Sequence, residues 1–183
     1  AMQGAYKEHI NILQDLDVSP VEIRNKNDLQ NIDGIIIPGG ESTTMGKLIR
    51  TLDIYDYLKE KIESGMPVWG TCAGMILLAK SICDDTVHLG TMDIEVKRNA
   101  YGRQLGSFNT KSNVEGIGED IEMVFIRAPY IENVDDNVEV LSIVDNNIIA
   151  AKENNMLVTS FHPELTSDYR VHKYFLKMVE NNR

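Results

Sequence analysis

"MPVWGTCAGMILLA", residues 66–79, is an apolar run, a cluster of small residues around a cysteine, and then a second apolar run. Its first part, 66–70, reads as a short buried strand, and 73–82 reads as a helix. A strand leading at once into glycine–X–nucleophile–X–glycine and then into a helix is the arrangement of a nucleophile elbow. The small residues let the chain bend sharply, so that the Cys72 side chain points outward. A helix opening at Ala73 would bring backbone N–H groups and the positive end of its dipole near the sulfur, which favours the thiolate. A buried structural cysteine in a strand–helix turn fits the same pentapeptide. The segment alone leaves both readings open.

Outward from this stretch the pattern alternates. "GIIIPGG" (34–40) is an apolar run ended by Pro-Gly-Gly, the shape of a buried strand entering a tight loop. Ile10, Leu13 and Leu16 at helical spacing predict a helix over 5–16, and further helices are expected over 42–51, 54–63 and 168–180. Strands are expected at 21–23, 87–97, 122–126, 138–144, 147–152 and 156–161. Such alternation predicts an α/β fold: an open, mostly parallel sheet with helices on both faces, joined by antiparallel additions from the later strands. In open sheets of this kind, sites lie outside the carboxyl ends of the strands. The loops after Ile37, Trp69 and Phe161 would meet there.

The chain has 183 residues, 43% hydrophobic and 25% charged, as expected for one globular domain spanning 1–183. A net charge of −10 argues against a nucleic-acid or acidic-membrane partner, both of which favour basic surface. No apolar stretch reaches the roughly 18 residues of a membrane span, and no signal peptide is visible. The two cysteines form neither a CxxC nor a disulfide framework, and no histidine cluster joins them at metal-ligand spacing. A cytoplasmic protein without metal or cofactor is therefore expected.

Two further loops give Cys72 its context. In "SFHPELT" (160–166) a strand ends in His-Pro-Glu. Residues i and i+2 of an extended stretch share a face, so Glu164 can orient the His162 ring and stabilise its protonated form. A lone histidine at a strand end is more often simply a satisfied polar residue; a glycine-framed cysteine elsewhere in the chain reverses that balance. His9, His88 and His172 have no such setting and read as structural. In "PGGES" (38–42) two glycines after a buried strand let the backbone approach a ligand. Acyl transfer needs donors aimed at the developing oxyanion, and the backbone N–H groups of Gly40 and Ala73 are the candidates. Glu41 and Ser42 could otherwise simply cap the helix that follows.

Together these elements resemble the class I, or triad, glutamine amidotransferases. The segments "QGAYKEHI", "PGGESTTM", "GTCAGMILLA", "RNAYGRQ", "FIRAPYI" and "SFHPELTSDYRVHKYF" are similar, through almost the whole chain, to the glutaminase subunits of pyridoxal 5′-phosphate synthases. The resemblance implies a flavodoxin-like fold and hydrolysis of L-glutamine to glutamate and ammonia through a Cys72–His162–Glu164 triad and a cysteine thioester. It implies contacts to glutamine from Gly40, Glu41, Ser42, Arg98, Ile126 and Arg127, with Arg103 a weaker candidate. It also implies a hetero-oligomeric partner, the synthase subunit, that builds pyridoxal 5′-phosphate from two sugar phosphates with ammonia delivered inside the complex. Free glutamine carries an α-carboxylate and an α-ammonium, and Arg98, Arg127 and Glu41 supply the matching charges. Without the resemblance, Arg98 and Arg103 would read as a solvated loop. Cys83 has no role, since Asp84 and Asp85 beside it would raise its pKa.

The family opens on an apolar strand before its Leu-Gln-Gly segment, whereas only "AMQG" precedes the first helix here. That strand is therefore expected to be missing, with Gln3 poorly placed near the site. Three rivals stand beside this reading: the glutaminase of another synthase such as the histidine-pathway one, a non-catalytic subunit of the same fold, and a thiol-based stress protein. "RNAYGRQ" and "FIRAP" speak against the first, the intact triad against the second, and "HPE" against the third.

Overall fold

The computed structural model describes residues 5–98 and 107–182. In chain order the helices are α1 (Tyr6–Asp15), α2 (Ser42–Thr51), α3 (Tyr55–Glu63), α4 (Ala73–Leu78) and α5 (Arg170–Asn181). The strands are β1 (Ile35–Ile37), β2 (Val68–Thr71), β3 (Ala79–Ile82), β4 (Met92–Lys97) and β5 (Ser107–Val114). They continue with β6 (Gly118–Ile126), β7 (Tyr130–Val134), β8 (Glu139–Val144), β9 (Asn147–Glu153) and β10 (Met156–Thr159).

The three strands read as buried apolar runs lie side by side. β1 and β10 both pair parallel to β2, with Ile37 opposite Gly70 and Thr159 opposite Thr71. This register brings all three carboxyl ends to one edge, where the loops after them meet. Beyond β10 the sheet continues through β9, β7, β4 and β3, and β8 also pairs with β9. These additions are antiparallel except for the β3–β4 pair. They are more extensive than the sequence suggests. A separate hairpin joins β5 to β6.

Alternation along the central strands divides the core between the two faces of the sheet. Val68, Met156 and Val158 pack with α2, α3 and α4 through Met45, Ile49, Leu58 and Met75. Trp69 and Leu157 face the other way, against Phe125, Phe161 and the α5 residues Val171, Phe175 and Val179.

The helix expected over 73–82 stops at Leu78 and gives way directly to β3. Its last carbonyls are satisfied from outside: Leu77 O accepts the Leu89 N–H (2.9 Å) and Leu78 O accepts that of Thr91 (2.8 Å). The strand expected at 87–97 begins only at Met92, and the segment 21–23 pairs with none of the described strands. Between that segment, α1 and β1 lies a cavity of about 560 Å³, lined by Ile10, Leu13, Val18, Ile23, Ile35 and Phe175 among others. β1 is thus an edge strand of the described sheet, and Ile35 and Ile36 are half-buried. Ala5 N–H donates to Gly39 O (3.2 Å), so the chain enters α1 at the carboxyl end of β1. Residues 1–4, including Gln3 and the expected gap ahead of them, lie outside the described residues. No described helix is long and apolar enough to cross a membrane.

Candidate active site

The sharp turn after β2 is visible in the backbone. Cys72 has φ +50° and ψ −104°, a left-handed conformation that a residue with a Cβ adopts only under strain, on the order of 1–3 kcal/mol. Two contacts hold it there. Cys72 N–H donates to Thr159 O at 2.7 Å, tying the elbow to β10. The flanking glycines let the turn press on its neighbours: a Cβ on Gly74 would stand 1.9 Å from Ile37 O, and one on Gly70 would stand 2.6 Å from the Gly74 carbonyl carbon. No side chain fits either place. Ala73 follows as the first residue of α4, so its N–H lies outside the intrahelical ladder.

His162 reaches the elbow from the loop after β10. Its N–H donates to Val124 O of β6 at 2.8 Å. A Cβ on Gly39 would stand 2.3 Å from His162 Cε1, so the first glycine of "PGG" is what lets that loop lie against the ring. His162 Nδ1 and Glu164 Oε1 are 2.7 Å apart, and both side chains are buried. The expected pairing is present, but its geometry differs from the extended one. Pro163, with its fixed φ, starts a 3-10 turn over Pro163–Leu165, and this turn folds Glu164 back under the ring.

Burial works against a charge on His162. Hydrogen bonds to Cys72 and Glu164, together with the attraction of both, outweigh it and raise the pKa from 6.5 to about 10. With Nδ1 on the carboxylate, Nε2 is the nitrogen left for the sulfur. At neutral pH the ring is therefore held as an imidazolium beside the Cys72 sulfur.

The "PGGES" loop follows β1, the neighbour of β2 in the sheet, and carries one charged residue. Glu41 caps α2: Oε1 accepts from Thr43 N–H (3.0 Å), and Oε2 accepts from Thr44 N–H (2.7 Å) and Thr44 Oγ1 (2.6 Å). The Thr44 hydroxyl, then the backbone N–H groups, lower its pKa to about 2. The capping alternative therefore holds for Glu41. Arg98, at the end of β4, reaches the same carboxylate (3.6 Å to Oε1) and is also hydrogen-bonded to Asp85. Ser42 is buried, and its hydroxyl has no partner among the described residues. Ile126 and Arg127 are exposed just beyond Val124, the residue whose carbonyl holds His162, and Arg127 has φ +44°. Arg103 lies outside the described residues. Cys83 sits apart, with burial and the Glu95 carboxylate, rather than Asp84 and Asp85, pushing its thiol up.

Two residues read as structural prove to belong to the site's surroundings. His9 of α1 lies 3.4 Å from Glu164 Oε2 and 2.9 Å from His172 of α5. No local motif marks either one. The available signal is a histidine on the buried face of an amphipathic helix, beside Ile12.

The model of the SNO glutamine amidotransferase family matches residues 1–181. The chain belongs to this family. It is 59% identical over 184 residues to a protein of Clostridium botulinum (strain Loch Maree / Type A3) named pyridoxal 5′-phosphate synthase subunit PdxT, covering 98% of this chain and 95% of that one. A protein of the same name from Streptococcus pneumoniae (strain CGSP14) is 55% identical over 188 residues, covering 100% and 96%. A crystal structure of a glutamine amidotransferase superposes with a TM-score of 0.93 at 41% identity, over 98% of this chain and 96% of that one. The flavodoxin-like α/β fold of the glutamine amidotransferases is the fold of this chain.

Proposed function

We propose that this chain hydrolyses L-glutamine to glutamate and ammonia through a thioester on Cys72. The ammonia passes to a synthase subunit that makes pyridoxal 5′-phosphate. The observation that carries the reading is the meeting of Cys72, His162 and Glu164 at the carboxyl ends of β2 and β10, with Glu41 of the loop after β1 paired to Arg98 from the end of β4. The full-length relatives named as pyridoxal 5′-phosphate synthase subunits favour this synthase over another. Assembly with it into a hetero-oligomer, action in the cytoplasm and one domain over 1–183 belong to the same proposal.

The Cys72 thiolate attacks the side-chain amide carbon of glutamine, and the carbonyl π electrons move onto oxygen. The N–H groups of Gly40 and Ala73 receive the oxyanion. The C–N bond then breaks as His162 gives its proton to the leaving nitrogen, releasing ammonia and leaving a γ-glutamyl thioester. Water, losing a proton to the same imidazole, attacks the thioester carbon; glutamate departs and the thiolate returns. Glu164 keeps the ring oriented and its charge stabilised throughout. Arg98 and Arg127 supply cations for the α-carboxylate of glutamine. Glu41, already bound to α2, takes the α-ammonium on its exposed side, and Ser42 and Ile126 complete the pocket.

The test is glutamate release from glutamine, measured with and without the synthase subunit, for the wild type and Cys72→Ala. Release that requires Cys72 supports the reading. Equal release by the folded variant overturns it.

A further inference from the structure

Behind the candidate triad stands a second line of imidazoles that the thioester mechanism leaves unused. His9 and His172 are 3% and 0% exposed. His9 Nδ1 lies 2.9 Å from His172 Nε2, and His9 Nε2 lies 3.4 Å from Glu164 Oε2. That oxygen is the one His162 does not use. Neither His9 Nε2 nor Glu164 Oε2 has a hydrogen-bond partner elsewhere among the described residues, and the two face one another at 3.4 Å. Trp69 packs edge-to-face on both rings, at 5.4 Å and 82° to His9 and 4.9 Å and 79° to His172, and shuts out solvent.

The placement of protons follows from the chemistry of imidazole. Two ring nitrogens 2.9 Å apart share one N–H. If His9 Nδ1 carried it, His9 Nε2 would turn a lone pair toward the Glu164 carboxylate. If His172 Nε2 carries it, His9 is the Nε2–H tautomer and points a donor at Glu164 Oε2. Only the second arrangement makes both contacts attractive. Burial, with His172 and His162 nearby, holds His9 well below its ordinary 6.5, and burial lowers His172 to about 4. Both rings are therefore neutral at pH 7, and the line acts through N–H direction rather than through charge.

We propose that His9 is a positioning residue of the glutaminase reaction: its Nε2–H holds the outer oxygen of Glu164, and His172 fixes the tautomer that does so. The inner oxygen then stays on His162, and the ring stays on Cys72. This rests on the function proposed above. It assigns α1 and α5 a task in the chemistry, although neither helix contributes to the triad.

The experiment measures kcat and KM for glutamine, with the synthase subunit present, for His9→Leu, His9→Gln and His172→Leu, each alone and with Glu164→Gln. Cys72→Ala is the control. His9→Leu is expected to lower kcat about tenfold, as for a lost hydrogen bond to a charged group, with KM unchanged. His9→Gln, whose amide N–H can reach the same oxygen, recovers most of the rate. His172→Leu costs less than His9→Leu, because His9 can keep the useful tautomer unaided. In the Glu164→Gln background His9→Leu costs nothing further, since the group it acts through has lost its charge.

The alkaline limb of the kcat profile also moves to lower pH in His9→Leu. The titratable groups facing His162 are Cys72 from the elbow, Glu164 from the 3-10 turn and His9 from α1, with His172 of α5 behind. A wild-type kcat in His9→Leu, or the same loss with and without Glu164→Gln, overturns the proposal. If His9→Leu does not fold, His172→Leu and His9→Gln carry the comparison with Glu164→Gln. Turnover by Cys72→Ala would instead overturn the functional reading.

Discussion

Replacing Glu164 by glutamine keeps a hydrogen-bonding shape beside His162 and removes one negative charge. The rise of the His162 pKa from 6.5 to about 10 corresponds to about 5 kcal/mol of net preference for the imidazolium, against a burial penalty. Two neighbours supply it, the Cys72 sulfur and the Glu164 carboxylate at 2.7 Å. Removing one of them forfeits roughly half, on the order of 2 kcal/mol, or about 30-fold in the protonation equilibrium. The His162 midpoint should then fall to about pH 8.5, and kcat should fall at least 30-fold with KM little changed. NMR of the labelled imidazole ring follows the midpoint directly in both proteins. Because the folded value lies above the unfolded one, the pairing stabilises the fold fully below about pH 6.5 and is lost as pH climbs through 10. Glu164→Gln should close that window earlier. A wild-type midpoint near 6.5, or one that does not move in Glu164→Gln, would refute the reasoning.

Other predictions follow from the loops around this pair. Gly74→Ala places a Cβ against Ile37 O at 1.9 Å, where backbone must yield; urea unfolding should show a loss of about 1–3 kcal/mol or more, and an unchanged midpoint would mean the elbow has room. Glu41→Ala removes the α2 cap and should cost about 1 kcal/mol or less, given its exposure. Since the Glu41 pKa is lowered from 4.5 to about 2, the thermal difference from wild type should be full above pH 4.5 and vanish as pH falls toward 2. A difference that persists at pH 2 would contradict the capping account. Arg98→Ala should raise KM for glutamine about tenfold or more with kcat less affected, and an unchanged KM would remove Arg98 from the binding site.

The central fold was legible because its strands carry their signals locally. "GIIIPGG", "MPVWG" and the run before His162 are apolar, short and punctuated, as parallel strands covered on both faces must be. β5 gives no strand signal in the sequence although Phe108, Thr110, Ser112 and Val114 alternate with exposed residues, because its polar face dilutes the pattern. The β3 stretch reads as helix because "MILLAKSI" has no breaker; the last α4 carbonyls instead accept the N–H groups of Leu89 and Thr91, from the loop before β4. The site divides in the same way. Cys72, Gly40, His162 and Glu164 sit in short motifs whose turn chemistry shows in the residues themselves. His9 and His172 are 163 positions apart and meet only because α1 and α5 pack on one face of the sheet beside Trp69. That relation has no trace in local spacing, so each histidine read as structural.

In the proposed mechanism Cys72 carries the glutamyl group during turnover. Acid quenching of the enzyme–synthase complex within the first turnovers on glutamine, followed by intact-mass and peptide analysis, tests it most directly. A glutamyl adduct is expected on the Cys72 peptide, one that hydroxylamine removes and that is absent in Cys72→Ala. Glutamate formation at the wild-type rate with no adduct on Cys72, or with the adduct on Cys83, would contradict it.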